Sequence, residues 1–151
     1  MKIKVFLEVN RMFKRNILIC GATGFIGRNI LEYFGSLENT SIRAVYHIRK
    51  PYDVSNLPAD IEWVKADLRS PSDVENIMKG VSIVIQAAAT TSGAKDIVTK
   101  PYIHVTDNAV MNSLLLRAAY HNDVKHFIFF SCTVMYQSSN HAIFLFQEQS
   151  M

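Results

Sequence analysis

The sequence predicts an α/β fold in which a doubly wound parallel sheet carries helices on both faces. Short apolar runs of about five residues alternate with longer amphipathic segments, as in consecutive strand–helix–strand units. The runs are rich in β-branched residues and show no clean polar–apolar alternation, which is typical of strands covered on both sides. A glycine-rich turn joins the first run to the first amphipathic segment.

The apolar runs are predicted to be the strands. They lie at 16–20, 42–48, 61–65, 81–86 and 126–130. The sheet is expected to stop after about the fifth strand. Residues 1–15 are then an N-terminal extension, 16–136 form one domain, and 137–151 are a divergent tail with no further strand–helix unit.

Three helices are expected between these strands. The first shows apolar residues at helical spacing and a candidate cap: Phe25, Ile26, Ile30, Phe34 and Gly35. The second begins near Pro71 and ends at Gly80, with an apolar face made of Val74, Ile77 and Met78. The third runs from 103 to 121 and is expected to pack on the sheet through one stripe: Val105, Ala109, Leu116 and Ala119, flanked by Val110 and Leu114.

Composition limits the possible functions. With 151 residues, 49% of them hydrophobic, the chain is long enough for one domain with a continuous core. The net charge of +3 is spread among acidic residues rather than gathered in runs, so no nucleic-acid partner is expected. The apolar runs are far shorter than the roughly 20 residues of a membrane span, so no membrane partner is expected either.

The cysteines and histidines carry no recognisable site. Cys20 and Cys132 are far apart, which gives no disulfide framework and fits a reducing, cytoplasmic setting. The five histidines show no metal-ligand spacing, so no metal is expected. The aromatic residues Phe127, Phe129 and Phe130 are predicted to belong to the core of the fifth strand.

The turn between the first strand and the first helix has the sequence GATGFIG. Its glycines follow the spacing G-x-x-G-x-x-G directly after a buried strand. Gly21 would make the turn, Gly24 would let a phosphate approach the backbone, and Gly27 would let the helix pack closely. Free N–H groups at the helix start would hold a diphosphate. The alternative is a structural turn without a ligand.

The end of the second strand carries the basic segment 47–50, of sequence HIRK, where an acidic residue would hold the ribose hydroxyls of NAD. Arg49 and Lys50 favour a ribose 2′-phosphate there, because a guanidinium pairs well with phosphate. The sequence therefore favours NADP over NAD. The alternative is a solvated basic loop.

Five motifs in order resemble the extended short-chain dehydrogenase/reductases, the NAD-dependent epimerase/dehydratase family. They are Gly21–Gly27, ADLR at 66–69, QAAA at 86–89, Asn108 and SCTVMY at 131–136. The resemblance covers residues 15–136 and implies the N-terminal portion of a Rossmann-like fold. It also implies an enzyme that modifies nucleotide sugars: an epimerase, a dehydratase or a reductase similar to GDP-fucose synthase.

The resemblance also implies which residues bind the cofactor. Asp67 and Leu68 would lie at the adenine ring; the alternative for Asp67 is a helix-capping or surface acid. Small residues at 87–89 would leave room for the nicotinamide-side ribose, and Asn108 would order the site; ordinary packing and a routine polar residue are the alternatives. The complete predicted set is Gly21, Thr23, Gly24, Phe25, Ile26, Gly27, Arg49, Lys50, Asp67, Leu68, Ala87, Ala88, Ala89 and Asn108.

The catalytic positions match the family less well. Cys132 stands where the family has a serine or threonine that hydrogen-bonds the substrate, so Ser131 or Thr133 would have to substitute. Tyr136 matches a tyrosine that does not transfer the proton.

The family's Tyr-x-x-x-Lys acid/base motif is missing after the fifth strand. Tyr46 and Lys50 have that spacing, but they lie too early in the fold order. We therefore expect cofactor binding without turnover, in a chain that is truncated or cut from a longer protein. The alternative is a nonenzymatic NAD(P)-binding or redox-sensing module. The resemblance further implies a homodimer through the helix at 103–121.

Overall fold

The structure is a computed structural model that describes residues 15–90 and 99–131. Its strands form one parallel sheet, in the order β3-β2-β1-β4-β5. The strands are β1 (Arg15–Cys20), β2 (Thr40–Tyr46), β3 (Asp60–Lys65), β4 (Ile83–Gln86) and β5 (His126–Phe129). The helices are α1 (Phe25–Gly35), α2 (Pro71–Met78) and α3 (Pro101–His121). The predicted order of elements is confirmed throughout.

The sheet is doubly wound, as the sequence predicts. Along β1, side chains alternate between two buried clusters: Ile17 and Ile19 face one side, while Leu18 and Cys20 face the other. Helix α1 covers the first side, with Leu31 fully buried. Helices α2 and α3 cover the second side. Because β1 lies at the centre and is covered on both faces, every position in it can be apolar.

Helix α2 begins and ends where the sequence indicates. The hydroxyl of Ser70 accepts a hydrogen bond from the N–H of Asp73, which caps the helix start. Gly80 follows the helix end with a φ of 72°. The three predicted apolar residues, Val74, Ile77 and Met78, are all buried.

The predicted apolar face of α1 is only partly correct. Ile30 and Phe34 pack against the core, but Phe25 is 85% exposed and Ile26 is 46% exposed. Both stand in the first turn of α1. Gly35 is the last helical residue rather than the cap, which is Ser36.

The predicted packing stripe of α3 is mostly wrong, although its flanking residue Leu114 packs against the core. Met111, Leu115 and Ala118 face the sheet, whereas Val105 and Leu116 are exposed. Ala109 and Val110 are exposed too, and only Ala119 of the predicted stripe is buried. Apolar residues occur on both sides of this helix, so its periodicity cannot decide which side meets the sheet.

The edge strand β5 also departs from prediction. Phe127 is half-buried against the core, but Phe129 and Phe130 are each more than two fifths exposed, so they do not belong to the described core. In the described residues, β5 pairs only with β4, which explains the exposure. No helix within residues 15–90 and 99–131 is long and apolar enough to cross a membrane.

Candidate functional site

The glycine-rich turn lies at the carboxyl end of β1, between β2 and β4. Gly21 has a φ of 73°, a left-handed conformation that suits glycine. A Cβ at Gly21 would come within 2.8 Å of Ala88 Cα, so the turn lies directly against the loop after β4. The N–H of Ala22 donates to the carbonyl of Val45 at 2.9 Å, which fixes the turn to β2.

The start of α1 folds back on this turn. A Cβ at Gly27 would lie 2.1 Å from the carbonyl oxygen of Gly21, so only glycine fits there. The N–H of Gly24 donates to that same carbonyl at 2.9 Å. No side chain caps α1 at Gly24. Because the first N–H groups of a helix have no partner inside it, this end can receive an anion.

A cavity of about 330 Å³ opens beside the turn, at the carboxyl ends of the strands. It has the size of a small-molecule site. Five predicted cofactor residues are among its described lining: Gly21, Asp67, Leu68, Ala88 and Ala89. The others among the predicted set lie outside that lining: Thr23, Gly24, Phe25, Ile26, Gly27, Arg49, Lys50, Ala87 and Asn108.

Asp67 is held by a tight ionic network on the wall of this cavity. Arg69 donates through Nε to Oδ1 and through Nη2 to Oδ2 of Asp67, both at 3.0 Å. The Arg69 Nη1 also donates to Asp107 of α3 at 2.9 Å. Hydrogen bonds from the Arg69 side chain and backbone lower the pKa of Asp67 to about 2. Asp67 does not cap α2, since Ser70 does so.

Helix α3 also fixes the loop after β4. The Asn108 side chain accepts from the N–H of Thr90 at 2.8 Å and donates to its carbonyl at 3.1 Å. One turn further, Asn112 accepts from the Gln86 amide at 2.9 Å, and Gln86 in turn accepts from the N–H of Ala88 at 3.2 Å. Asn108 therefore acts on the cavity through the loop rather than by lining it.

The end of β2 differs from its prediction. The strand stops at Tyr46, so His47 is the first residue beyond it rather than part of it. His47 lines the cavity, with Nε2 at 3.9 Å from Asp67 Oδ2. Arg49 and Lys50 follow on an exposed segment.

Of the predicted catalytic residues, only Ser131 lies within the described part of the chain. Ser131 is exposed just beyond β5, at the same edge of the sheet as the glycine turn. Thr133, Cys132 and Tyr136 lie outside the described residues. Cys20 is fully buried in the core, and this burial raises the pKa of its thiol to about 12. The described ranges contain no cluster of three or more side chains suited to a metal ion.

Sequence reasoning missed the residues that hold the site together. They are Arg69, Thr90, Asp107, Gln86 and Asn112. Arg69 and Gln86 carried a signal, because each belongs to a recognised motif, at 66–69 and 86–89. The others act through contacts between segments that are far apart along the chain.

The fold and the turn together define a Rossmann-like domain: a doubly wound parallel sheet with a glycine-rich crossover beside β1. The profile of the NAD dependent epimerase/dehydratase family matches residues 17–150. The chain belongs to that family. The match extends beyond the last motif on which the resemblance was based. A comparison with curated protein sequences finds no significant match.

Solved structures with this fold include nucleotide-sugar enzymes. UDP-N-acetylglucosamine 4-epimerase from Methanobrevibacter ruminantium M1 is 23% identical, with a TM-score of 0.71 over 91% of this chain and 44% of its own. UDP-glucose 4-epimerase from Bifidobacterium longum, in complex with NAD+ and UDP, is 18% identical, with a TM-score of 0.70 over 83% of this chain and 39% of its own. The chain thus spans less than half the length of these enzymes, and the likeness shows the fold.

The Asp67 network makes a pH-dependent contribution to stability. The Asp67→Asn variant should lower the free energy of unfolding at neutral pH by about 1 kcal/mol, a value reduced because both partners are partly exposed. The folded-state pKa of Asp67 lies below its ordinary value of 3.8, so this contribution is present above that value and is lost as pH falls towards about 2. Urea unfolding across this range measures the difference. Glu38→Gln, on an exposed turn, is the control; a difference independent of pH would contradict the assignment.

Proposed function

We propose that this chain holds a nicotinamide dinucleotide through its diphosphate bridge, as the cofactor-binding part of an enzyme that modifies nucleotide sugars. The observation that carries the proposal is the turn at Gly21–Gly27. Side chains at Gly21 or Gly27 would collide with backbone, and α1 begins without a side-chain cap. This arrangement fits an anion held by backbone N–H groups.

The cavity beside the turn suits the adenosine end of that cofactor. The Asp67 carboxylate would accept from the exocyclic amine of adenine, with Leu68 against the ring. The small residues Ala88 and Ala89, on the loop after β4, would leave space for the rest of the dinucleotide. The structure of the Bifidobacterium enzyme with NAD+ and UDP supports a nicotinamide cofactor and a nucleotide-linked substrate for this family member.

When bound, the nicotinamide ring supplies hydride transfer with a carbon of the substrate. The hydroxyl of Ser131 or Thr133 would hydrogen-bond the substrate oxygen. The Tyr-x-x-x-Lys spacing occurs at Tyr46 and Lys50, at the end of β2 and in the exposed segment after it. With no such motif after β5, we propose that the 151-residue chain binds the cofactor without completing the reaction.

We further propose NADP as the preferred cofactor. Arg49 and Lys50 follow closely on the pocket residue His47, and this end of β2 has no acidic residue at 46–50 that would select ribose hydroxyls. The buried free thiol of Cys20 is compatible with a cytoplasmic setting.

A homodimer through α3 is our proposal for assembly. The outer side of this helix exposes Tyr102, Val105, Leu116 and Tyr120, each by more than half. Tyr102 and Val105 are one turn apart, Leu116 and Tyr120 are one turn apart, and about three turns separate the two pairs, so the four side chains lie on one side of the helix.

Titration of NADH and NADPH into the 151-residue chain, followed by nicotinamide fluorescence, tests the cofactor proposal. We expect saturable binding, displaced by ADP and much less by adenosine, because the diphosphate is the anchored group. Circular dichroism establishes that the sample is folded, and sedimentation of the same sample reports the dimer. A folded sample that retains neither nucleotide would overturn the proposal.

A further inference from the structure

Arg69 joins the loop after β3 to α3 on the wall of the proposed cofactor cavity. Resting on the cofactor site proposed above, we infer that Arg69 is a positioning residue. It holds the Asp67 carboxylate in one orientation, so that the cavity selects adenine over hypoxanthine as the purine of the dinucleotide. Asp107 takes part by holding Arg69.

The hydrogen bonds of Asp67 leave acceptor capacity on only one of its carboxylate oxygens. Oδ1 accepts from the N–H of Arg69 at 2.9 Å and from Arg69 Nε at 3.0 Å. Among the described residues, Oδ2 accepts only from Arg69 Nη2, at 3.0 Å. His47 Nε2 is 3.9 Å from Oδ2, too far for a hydrogen bond. Each oxygen has about two acceptor sites, so the remaining site on Oδ2 is the one available to a ligand.

Several contacts fix this carboxylate in space. The N–H of Asp67 donates to Asp73 Oδ2, and its carbonyl accepts from the N–H of Ser70, both at 2.9 Å. The planar fork of Arg69 bonds both carboxylate oxygens, which prevents free rotation of the carboxylate. The third arm of the fork, Nη1, donates to Asp107 of α3 at 2.9 Å. Arg69 is therefore tied to a second element, and Oδ2 is an acceptor in a fixed place.

Adenine and hypoxanthine present opposite groups to such an acceptor. Adenine carries an amino group at C6, which donates to a carboxylate. Hypoxanthine carries a carbonyl oxygen there, which a carboxylate repels, and its nearest donor is the neighbouring N1–H. The hydrogen bonds from Arg69 lower the pKa of Asp67 to about 2, so near neutral pH Asp67 has no proton to offer that carbonyl.

The fixed orientation of Asp67 is what makes these purines distinguishable. A carboxylate free to rotate could turn towards the N1–H of hypoxanthine and recover a hydrogen bond. One held by Arg69 cannot follow, so the hypoxanthine ring leaves its own carbonyl and Oδ2 without partners. A site built around a hydrogen bond rejects a ligand that lacks the matching group for this reason.

Titration of NADH and of reduced nicotinamide hypoxanthine dinucleotide tests the inference, because both ligands carry the same fluorescent nicotinamide. The unmodified chain should bind NADH about 20-fold more tightly. Arg69→Met removes the fork but keeps an apolar stem, and in this variant the ratio should fall to about threefold or less. Asp107→Ala leaves Arg69 bonded to Asp67 alone, so its ratio should lie between these values.

Two further variants separate position from charge and from stability. Arg69→Lys keeps the positive charge but has no planar fork, so its ratio should stay close to that of Arg69→Met. Arg43→Met removes an arginine that pairs with Glu62 at 3.1 Å and lies outside the described lining of the cavity. This variant should lose stability but keep the full ratio. The full ratio in Arg69→Met or Arg69→Lys would overturn the inference, as would its loss in Arg43→Met.

Asp67→Asn should reverse the preference. Arg69 directs two N–H groups at the Oδ1 position and one at the Oδ2 position, so the amide oxygen should occupy the first and the amide nitrogen the second. The nitrogen would then donate to the C6 carbonyl of hypoxanthine. In Asp67→Asn combined with Arg69→Met, either end of the amide can turn to the ligand, so the preference should disappear. Continued preference for NADH in Asp67→Asn would contradict the positioning by Arg69.

The outcomes also distinguish this inference from the proposed function. Equal affinity of the unmodified, folded chain for the two dinucleotides would overturn the inference and leave the cofactor site standing. Failure of that folded chain to bind either dinucleotide would overturn both. A ratio in Asp107→Ala equal to that of the unmodified chain would overturn the part assigned to Asp107.

Discussion

The Gly27→Ala variant is expected to lose about 3 kcal/mol of unfolding free energy, which is a large fraction of the roughly 5–15 kcal/mol that stabilises an ordinary domain. The added Cβ would lie 2.1 Å from the carbonyl oxygen of Gly21 and 2.8 Å from its carbonyl carbon. Both atoms belong to the backbone, so no side-chain rotation relieves the collision. Urea unfolding followed by circular dichroism measures the loss.

Gly24→Ala is the matched control for that substitution. It adds the same methyl group to the same turn, but its Cβ would lie 3.2 Å from the same carbonyl oxygen. A shift of a few tenths of an ångström accommodates that contact, so the cost should be about 1 kcal/mol or less. Equal losses in the two variants would mean that the close contact at Gly27 does not hold α1 against the turn.

The order of strands and helices could be predicted because a short apolar run marks each strand, and the run in the central strand β1 is uninterrupted from Ile17 to Cys20. The end of β2 was harder to predict from the sequence. Pairing with β3 stops at Tyr46, which lies opposite Lys65. Ile48 extends the apolar run beyond that point, although it is 85% exposed. Hydrophobicity alone therefore placed the strand end two residues too late.

The face of α3 could not be predicted for a related reason. Met111 and Leu115 are buried on one side, while Val105 and Leu116 are exposed on the other. A helix with two apolar sides contains no sequence signal for which one meets the sheet. The sheet itself decides, because α3 must also bring Asn108 to the backbone of Thr90.

Some parts of the candidate site are set by residues close together in the sequence, and others by contacts between residues far apart. The turn at Gly21–Gly27 is set by spacing within a few residues, so the sequence alone indicates it. The network around Asp67 also includes a contact between Arg69 and Asp107, which are 38 residues apart along the chain. Such a contact exists only after α2 and α3 have packed on one face of the sheet. The sequence likewise indicated Arg49 and Lys50 as the cations of the basic segment, but it could not indicate that His47 lines the cavity.

The Gly24→Asp variant is expected to separate nucleotide binding from stability. Gly24 has φ −79° and ψ 169°, a conformation open to any residue, and it occupies the cap position of α1. Aspartate is a favoured cap there, which offsets the 3.2 Å contact of its Cβ with the Gly21 carbonyl oxygen, so the free energy of unfolding should change by no more than about 1 kcal/mol. The same carboxylate would face the diphosphate. We expect NADPH and NADH affinity to fall about 100-fold or more through charge repulsion.

Gly24→Asn distinguishes charge from bulk in that experiment. Asparagine has nearly the shape of aspartate and caps a helix about as well, but it carries no charge. Its affinity loss should therefore be at least about tenfold smaller than that of Gly24→Asp, as measured by the same fluorescence titration. Equal losses would assign the effect to the added side-chain volume. Affinity unchanged in Gly24→Asp would place the diphosphate elsewhere, because a new negative charge at the start of α1 cannot be neutral towards an anion bound there.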